Sequence, residues 1–239
     1  LRLLLAEPGL WRSVAVASLS GIGATILAFV GAMTLCATLH GTPLDRAARR
    51  LLPPLLAVPH LSVAIGLAFL LAPSGWLARL ASPWLSGWTR PPDLLTVNDP
   101  WGLTLMLGLA VREMPFLVFT VFAALREREI DHSLEAARAL GYGRAEAWMK
   151  LVLPRLYPRL RLPLYAVLAF SLSVVDMAIV LGPAAPATLS VRLLRWFQDP
   201  DLSLRLVAAS GALLQLATVA GALLAWHLVE RLIAATGRT

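Results

Sequence analysis

Long apolar runs separated by short polar connections dominate the chain. Five runs reach the roughly 20 residues that a membrane-spanning helix needs: 14–39, 51–72, 101–125, 162–182 and 204–230. Trp11, Trp76, Trp84, Trp88, Trp101, Trp148, Trp196 and Trp226 lie near the ends of these runs or between them, where indole rings favour the headgroup level. The pattern predicts an all-α fold, a polytopic bundle of about five spanning helices in a single transmembrane domain over 1–239. In the first run small residues recur every four positions, as Ala17, Gly21, Thr25 and as Ala24, Ala28, Ala32, a spacing that lets helices pack closely. Pro53, Pro54 and Pro59 predict a bend near the start of the second run.

Composition agrees with this reading. The chain is 58% hydrophobic and 15% charged, with a mean hydropathy of +0.73, against about 25% charged residues in soluble domains. Its net charge of +7 does not indicate nucleic acid, because the basic residues fall between apolar runs and not along one polar face. They set orientation instead, since basic loops stay on the cytoplasmic side. Arg46, Arg49 and Arg50, the segment holding Arg126, Arg128, Arg138, Arg144, Lys150, Arg155, Arg159 and Arg161, and the tail after Glu230 are expected inside. The connections 73–100 and 183–203 are expected outside, although Arg192, Arg195 and Arg205 weaken that assignment. With five spans and an internal tail the N-terminus would lie outside, so an upstream helix is expected before Leu1. The lone Cys36 leaves no intramolecular disulfide and no cysteine metal site.

The segment between the third and fourth runs carries the most information. It reads Glu135-Ala136-Ala137, three residues, Gly141, nine residues, then Leu151-Val152-Leu153-Pro154. Ser133 is placed to cap a short helix with Glu135 in its first turn, and Gly141 to stop it. A second short helix is expected from Arg144 to Leu153, with Pro154 turning the chain toward the next span. A thin helix surface at Ala136 and Ala137, rimmed by Glu135 and Arg138, suits insertion into a partner's groove. The alternative is an amphipathic helix lying on the membrane surface.

This spacing resembles the EAA loop of binding-protein-dependent ABC importer permeases, with Leu151 where isoleucine is usual. The five-run layout and the stretches Ser171–Asp176 and Leu181–Pro183 resemble the iron, thiamine, sulfate and polyamine subfamily, and most closely the first half of a fused double permease. The resemblance implies that 126–161 is a cytoplasmic coupling loop, with Glu135, Ala136, Ala137, Gly141, Leu151 and Pro154 taking the ATPase-coupling positions. It implies a multi-pass protein of the bacterial cytoplasmic (inner) membrane. The expected partners are ABC ATPase subunits, a second permease half, fused or separate, an extracytoplasmic solute-binding protein and the lipid bilayer.

No phosphate-binding loop is present, since the only lysine, Lys150, is followed by Leu151 and not by the Ser or Thr such a loop requires. ATP hydrolysis is therefore assigned to another chain, and no cofactor and no metal are expected. Arg112, Glu113 and Asp176 fall within apolar runs, where a charge costs about 2.5–3.5 kcal/mol on insertion scales. They line a translocation path or gate, or else they form buried pairs that fix helix packing. An ion-driven secondary transporter is the alternative that would use them for coupling, but it needs no EAA loop. His60 reads as a packed residue, and Asp131 with His132 lacks the positioned nucleophile that hydrolysis requires.

Overall fold

The computed structural model of the chain describes residues 2–125 and 127–236. Arg126 and the side chains of Arg128, Asp131 and Arg138 lie outside the described residues. The described elements are helices: α1 (Arg2–Leu5), α2 (Leu10–Leu39), α3 (Pro43–Ala57), α4 (His60–Leu71), α5 (Trp76–Ala81), α6 (Leu103–Ala124), α7 (Glu127–Ala139), α8 (Arg144–Ala147), α9 (Leu153–Ser173), α10 (Asp176–Leu181), α11 (Leu189–Gln198) and α12 (Leu204–Thr236). A π turn over Trp148–Val152 joins α8 to α9.

Among the described residues four segments are long and apolar enough to cross a membrane: Leu10–Leu39, His60–Ala81, Leu103–Ala124 and Leu204–Ala235. The five-run expectation differs from this at two places. The run 162–182 is interrupted, because α9 ends at Ser173 and α10 restarts at Asp176. The β-branched pair Val174-Val175 lies in the gap, and the Asp176 carboxylate accepts the Met177 N–H at 2.8 Å, favouring a new helix start there. The carbonyls released at the break are covered by side chains. Gln215 Nε2 donates to Leu172 O at 3.0 Å and Ser190 Oγ to Val174 O at 2.7 Å.

The run 51–72 is likewise two pieces. Its first part belongs to α3, an amphipathic helix that starts at Pro43 and also carries Arg46, Arg49 and Arg50. Val58 is extended, at φ −68° and ψ 126°, as a residue before proline prefers. A new helix begins after Pro59 and continues through the turn at 72–75 into α5. Pro53 and Pro54 sit inside α3, and the interruption of the run falls at Val58 and Pro59.

The residues group into two bodies, the first formed by Leu1–Ala24, His60–Leu109 and Leu168–Thr239, the second by Thr25–Pro59 and Ala110–Val167. In the first, α11 packs on α12 and α10 on α4, and Leu4, Leu10, Leu189, Trp196, Val207 and Ala208 form a core. Arg192 is bound into this body: its guanidinium pairs with Glu7 at 3.0 Å, donates to Pro8 O at 2.9 Å and lies 4.7 Å above the Trp196 ring. That engagement accounts for one of the cations that blurred the orientation signal. His60 packs on Phe170 with ring centroids 4.8 Å apart.

The core of the second body joins Ala28, Ala32 and Cys36 of α2 to Leu117, Val121 and Phe122 of α6, and to Trp148, Leu156, Leu160 and Leu164. The recurring small residues Ala17, Gly21, Ala24, Thr25, Ala28 and Ala32 of α2 are buried, as ordinary helix packing requires. Glycines in α2 allow close approach, and at Gly21 a Cβ would stand 3.0 Å from the backbone nitrogen of Leu172. Replacing Gly21 by Val should lower stability by about 1–3 kcal/mol, read as thermal unfolding of the detergent-solubilised chain. Gly66→Ala in α4, where a Cβ meets nothing within 4 Å, should leave it unchanged or raised.

Candidate functional site: a helical knob between α6 and α9

The EAA-like residues lie in the second body, Glu135, Ala136 and Ala137 on α7, Gly141 in the turn after it, Leu151 in the π turn and Pro154 at the start of α9. Ile130, Leu134 and Ala137 place one stripe of α7 against Trp148 and Val152 in the core, the i, i+4, i+7 spacing of an amphipathic helix. Because that stripe runs through the motif, α7 begins at Glu127, and Ser133 is inside the helix instead of capping it. The opposite face holds Glu135, Ala136, Ala139 and Leu140 in solvent, with the Glu135 side chain 72% exposed. His132 Nδ1 stands 3.9 Å from its carboxylate.

The two alanines of the motif therefore do different things. Ala136 is exposed and leaves the outer surface thin, whereas Ala137 is 1% exposed and lets α7 lie close to its neighbours. Only one of the pair can contribute to the thin surface expected from the sequence.

Gly141 ends the helix at φ +82°, in the left-handed region that glycine occupies without steric cost. The Tyr142 N–H reaches back to Ala137 O at 3.0 Å and the Leu140 N–H to Ala136 O at 3.2 Å, so the reversal satisfies carbonyls at the helix end. A Cβ at Gly141 would meet nothing within 4 Å. Backbone conformation, not space, is what this position demands.

Beyond the reversal, α8 runs through the π turn directly into α9. The Leu153 N–H bonds to Trp148 O, the i to i−5 pattern of a π turn, immediately before Pro154. A proline has no N–H and its ring crowds the carbonyl four residues earlier. The wider turn accommodates both, so Pro154 sits in the first turn of a continuing helix and does not redirect the chain as the sequence suggested. Leu151 is half-buried against the core and Pro154 is exposed.

Cations cover the ends of neighbouring helices. Arg144 donates through Nη2 to His40 O, just past the end of α2, and Arg159 to Ala124 O at 2.9 Å, the last residue of α6. Lys150 pairs with Glu146 at 2.7 Å, and that hydrogen bond raises its pKa above the ordinary lysine value. Arg49 pairs with Asp45 at 3.2 Å and lies 4.3 Å over the Phe122 ring.

Of the three charges that the sequence places in apolar runs, Arg112 and Glu113 belong to the second body and Asp176 to the first. Arg112 Nη2 donates to Leu56 O at 3.3 Å, a carbonyl released where Pro59 ends α3. Glu113 is 7% exposed. Asp176 starts α10. Sequence reasoning missed Asp99, whose carboxylate accepts the N–H groups of Leu103 and Thr104, each at 2.9 Å, at the start of α6. An Asp shortly before an apolar run is the signal that could have found it.

Comparison with known proteins gives the affiliation. Over 214 residues the chain is 33% identical to the inner membrane ABC transporter permease protein YnjC of Escherichia coli (strain K12), an alignment covering 90% of this chain. The chain is similar to this ABC transporter permease over most of its own length. It spans 39% of the length of that curated relative. No family model matches the chain. With that similarity and four long apolar helices among the described residues, the chain is a multi-pass membrane protein, and the similarity does not favour the ion-driven alternative.

Two pairs of substitutions test the knob. Ala137→Leu should destabilise the chain by about 1–3 kcal/mol through overpacking, while Ala136→Leu should stay within about 0.5 kcal/mol, both followed by thermal unfolding in detergent. Gly141→Ala should cost about 1–2 kcal/mol for its left-handed backbone, and Gly141→Asn measurably less.

Proposed function

We propose that the chain is the membrane-spanning permease part of an ATP-binding cassette importer of the bacterial inner membrane. In this reading 1–239 acts as a single transmembrane domain, and 126–161 is its cytoplasmic loop for coupling to separate ATPase subunits. The observation that carries it is the exposed Glu135–Ala136 face of α7, closed by Gly141 at φ +82°, in a homologue of an ABC permease. A rigid helical knob with a thin outer surface can enter a groove on a partner and transmit its movement. Homology supports the transport class, and the basic connections support a cytoplasmic position for the knob.

A second permease half and an extracytoplasmic solute-binding protein complete the machine. Glu135, Ala136, Gly141 and the exposed Pro154 form the docking face, and Ala137 and Leu151 hold it from behind. Arg112, Glu113 and Asp176 are the candidates for path or gate, with Arg112 also covering the helix break at Pro59. ATP closure of the partner subunits would shift this chain between inward and outward openings through the knob.

Capture of an ATPase chain from host membranes, identified by mass spectrometry through its Gly-x-x-x-x-Gly-Lys-Ser/Thr loop, tests the docking claim. Ala136→Arg should reduce capture at least tenfold, about 1.4 kcal/mol, with helicity and elution unchanged; full capture would overturn it. Asp176→Asn keeps a side-chain oxygen at the start of α10. It should slow solute-stimulated ATP turnover in an intact complex, and normal turnover would sink the path reading.

A further inference from the structure

Beside the knob, still within the second body, lies an apolar groove of about 360 Å³ that the coupling role does not use. One wall is α2, through Val30, Thr34 and Ala37; the other is α8 and the π turn, through Arg144, Trp148 and Met149. From Val30 to Thr38 it follows α2 for about 12 Å. Val30 and Thr34 are exposed, so the groove opens outward from a helix long and apolar enough to cross a membrane.

Its polar character is one-sided. The Arg144 guanidinium is held at the C-terminal end of α2 by its bond to His40 O, which takes one of its five donors. Trp148 is 2% exposed and its indole nitrogen is buried, so the ring gives the groove an apolar wall and Arg144 gives its one charge. The remaining Arg144 donors at one end of an otherwise apolar groove call for an occupant that is apolar along its length and carries a negatively charged, acceptor-rich group at that end. The remaining lining is largely aliphatic, aromatic and thioether carbon.

We propose that this groove is a binding site for an anionic phospholipid. An acyl chain lies along α2 between Val30 and Ala37, against the Trp148 side chain, and the phosphate meets Arg144. Basic pockets between membrane helices at the cytoplasmic side take such headgroups. The choice of leaflet rests on the orientation proposed above, with the knob inside. Because Trp148 and Met149 form both the groove wall and the turn behind the docking face, the bound lipid braces the knob from the membrane side.

Native mass spectrometry of the detergent-purified full chain, with dioleoyl phosphatidylglycerol, dioleoyl phosphatidylcholine or inorganic phosphate added, tests the site. Phosphatidylglycerol should be retained about five-fold over phosphatidylcholine, the factor expected of one basic contact, and phosphate alone should not be retained. Arg144→Gln should abolish the preference. Thr34→Trp, at an exposed position, should exclude both lipids while preserving the fold, and Arg46→Gln, outside the groove, should change neither. Equal retention of the two lipids, a preference that survives Arg144→Gln, or a Thr34→Cys cross-link to a protein partner would overturn the proposal. A chain that keeps phosphatidylglycerol but captures no ATPase would instead refute the importer reading and leave the lipid site standing.

Discussion

A backbone carbonyl released inside a bilayer has no water to bond, and the chain's interruptions are arranged around that constraint. Several of the breaks described above come with a donor from elsewhere in the same body. Arg112 serves Leu56 O at the Pro59 break, and Gln215 and Ser190 serve Leu172 O and Val174 O between α9 and α10. Arg144 and Arg159 serve the ends of α2 and α6. At Gly141 the reversal satisfies its own carbonyls through the Tyr142 and Leu140 amides. These donors are what allow short helices and turns to stand beside long membrane helices.

The same constraint changes how the charged residues are understood. Counted along the sequence, arginines orient the chain; in the structure several of them also close helix ends or hold segments together. Arg192 is bound to Glu7 and Pro8, which makes it a structural tie in a connection expected to carry few cations. Arg112 has a definite backbone partner, so its presence at membrane depth has a packing explanation independent of any solute. The buried Glu113 and the helix-starting Asp176 are placed in separate bodies.

The knob shows how little separates a scaffold residue from a contact residue. Ala136 and Ala137 are adjacent and chemically identical, yet a turn of about 100° on the helix puts one in solvent and the other under Trp148. Gly141 is dictated by backbone conformation, and Pro154 by the π turn that precedes it. The exposed face of the knob is thus small, and it is held from behind by core residues whose sizes are fixed by packing.

Hydrophobic periodicity and length were enough to specify an all-α membrane protein, because a continuous run of about 20 apolar residues matches a spanning helix, which satisfies its own backbone in lipid, and not the alternating pattern of a barrel strand. The motif spacing from Glu135 to Pro154 was also legible, since it is carried by residue identity along one segment. Continuity of a helix was not. Whether 162–182 runs unbroken depends on Gln215 and Ser190, distant in sequence, being present to take up the carbonyls of Leu172 and Val174. The division of labour between Ala136 and Ala137, the inclusion of Ser133 within α7 and the passage of the chain straight through Pro154 depend on which face meets Trp148. Those are decisions of packing, and only the tertiary structure makes them.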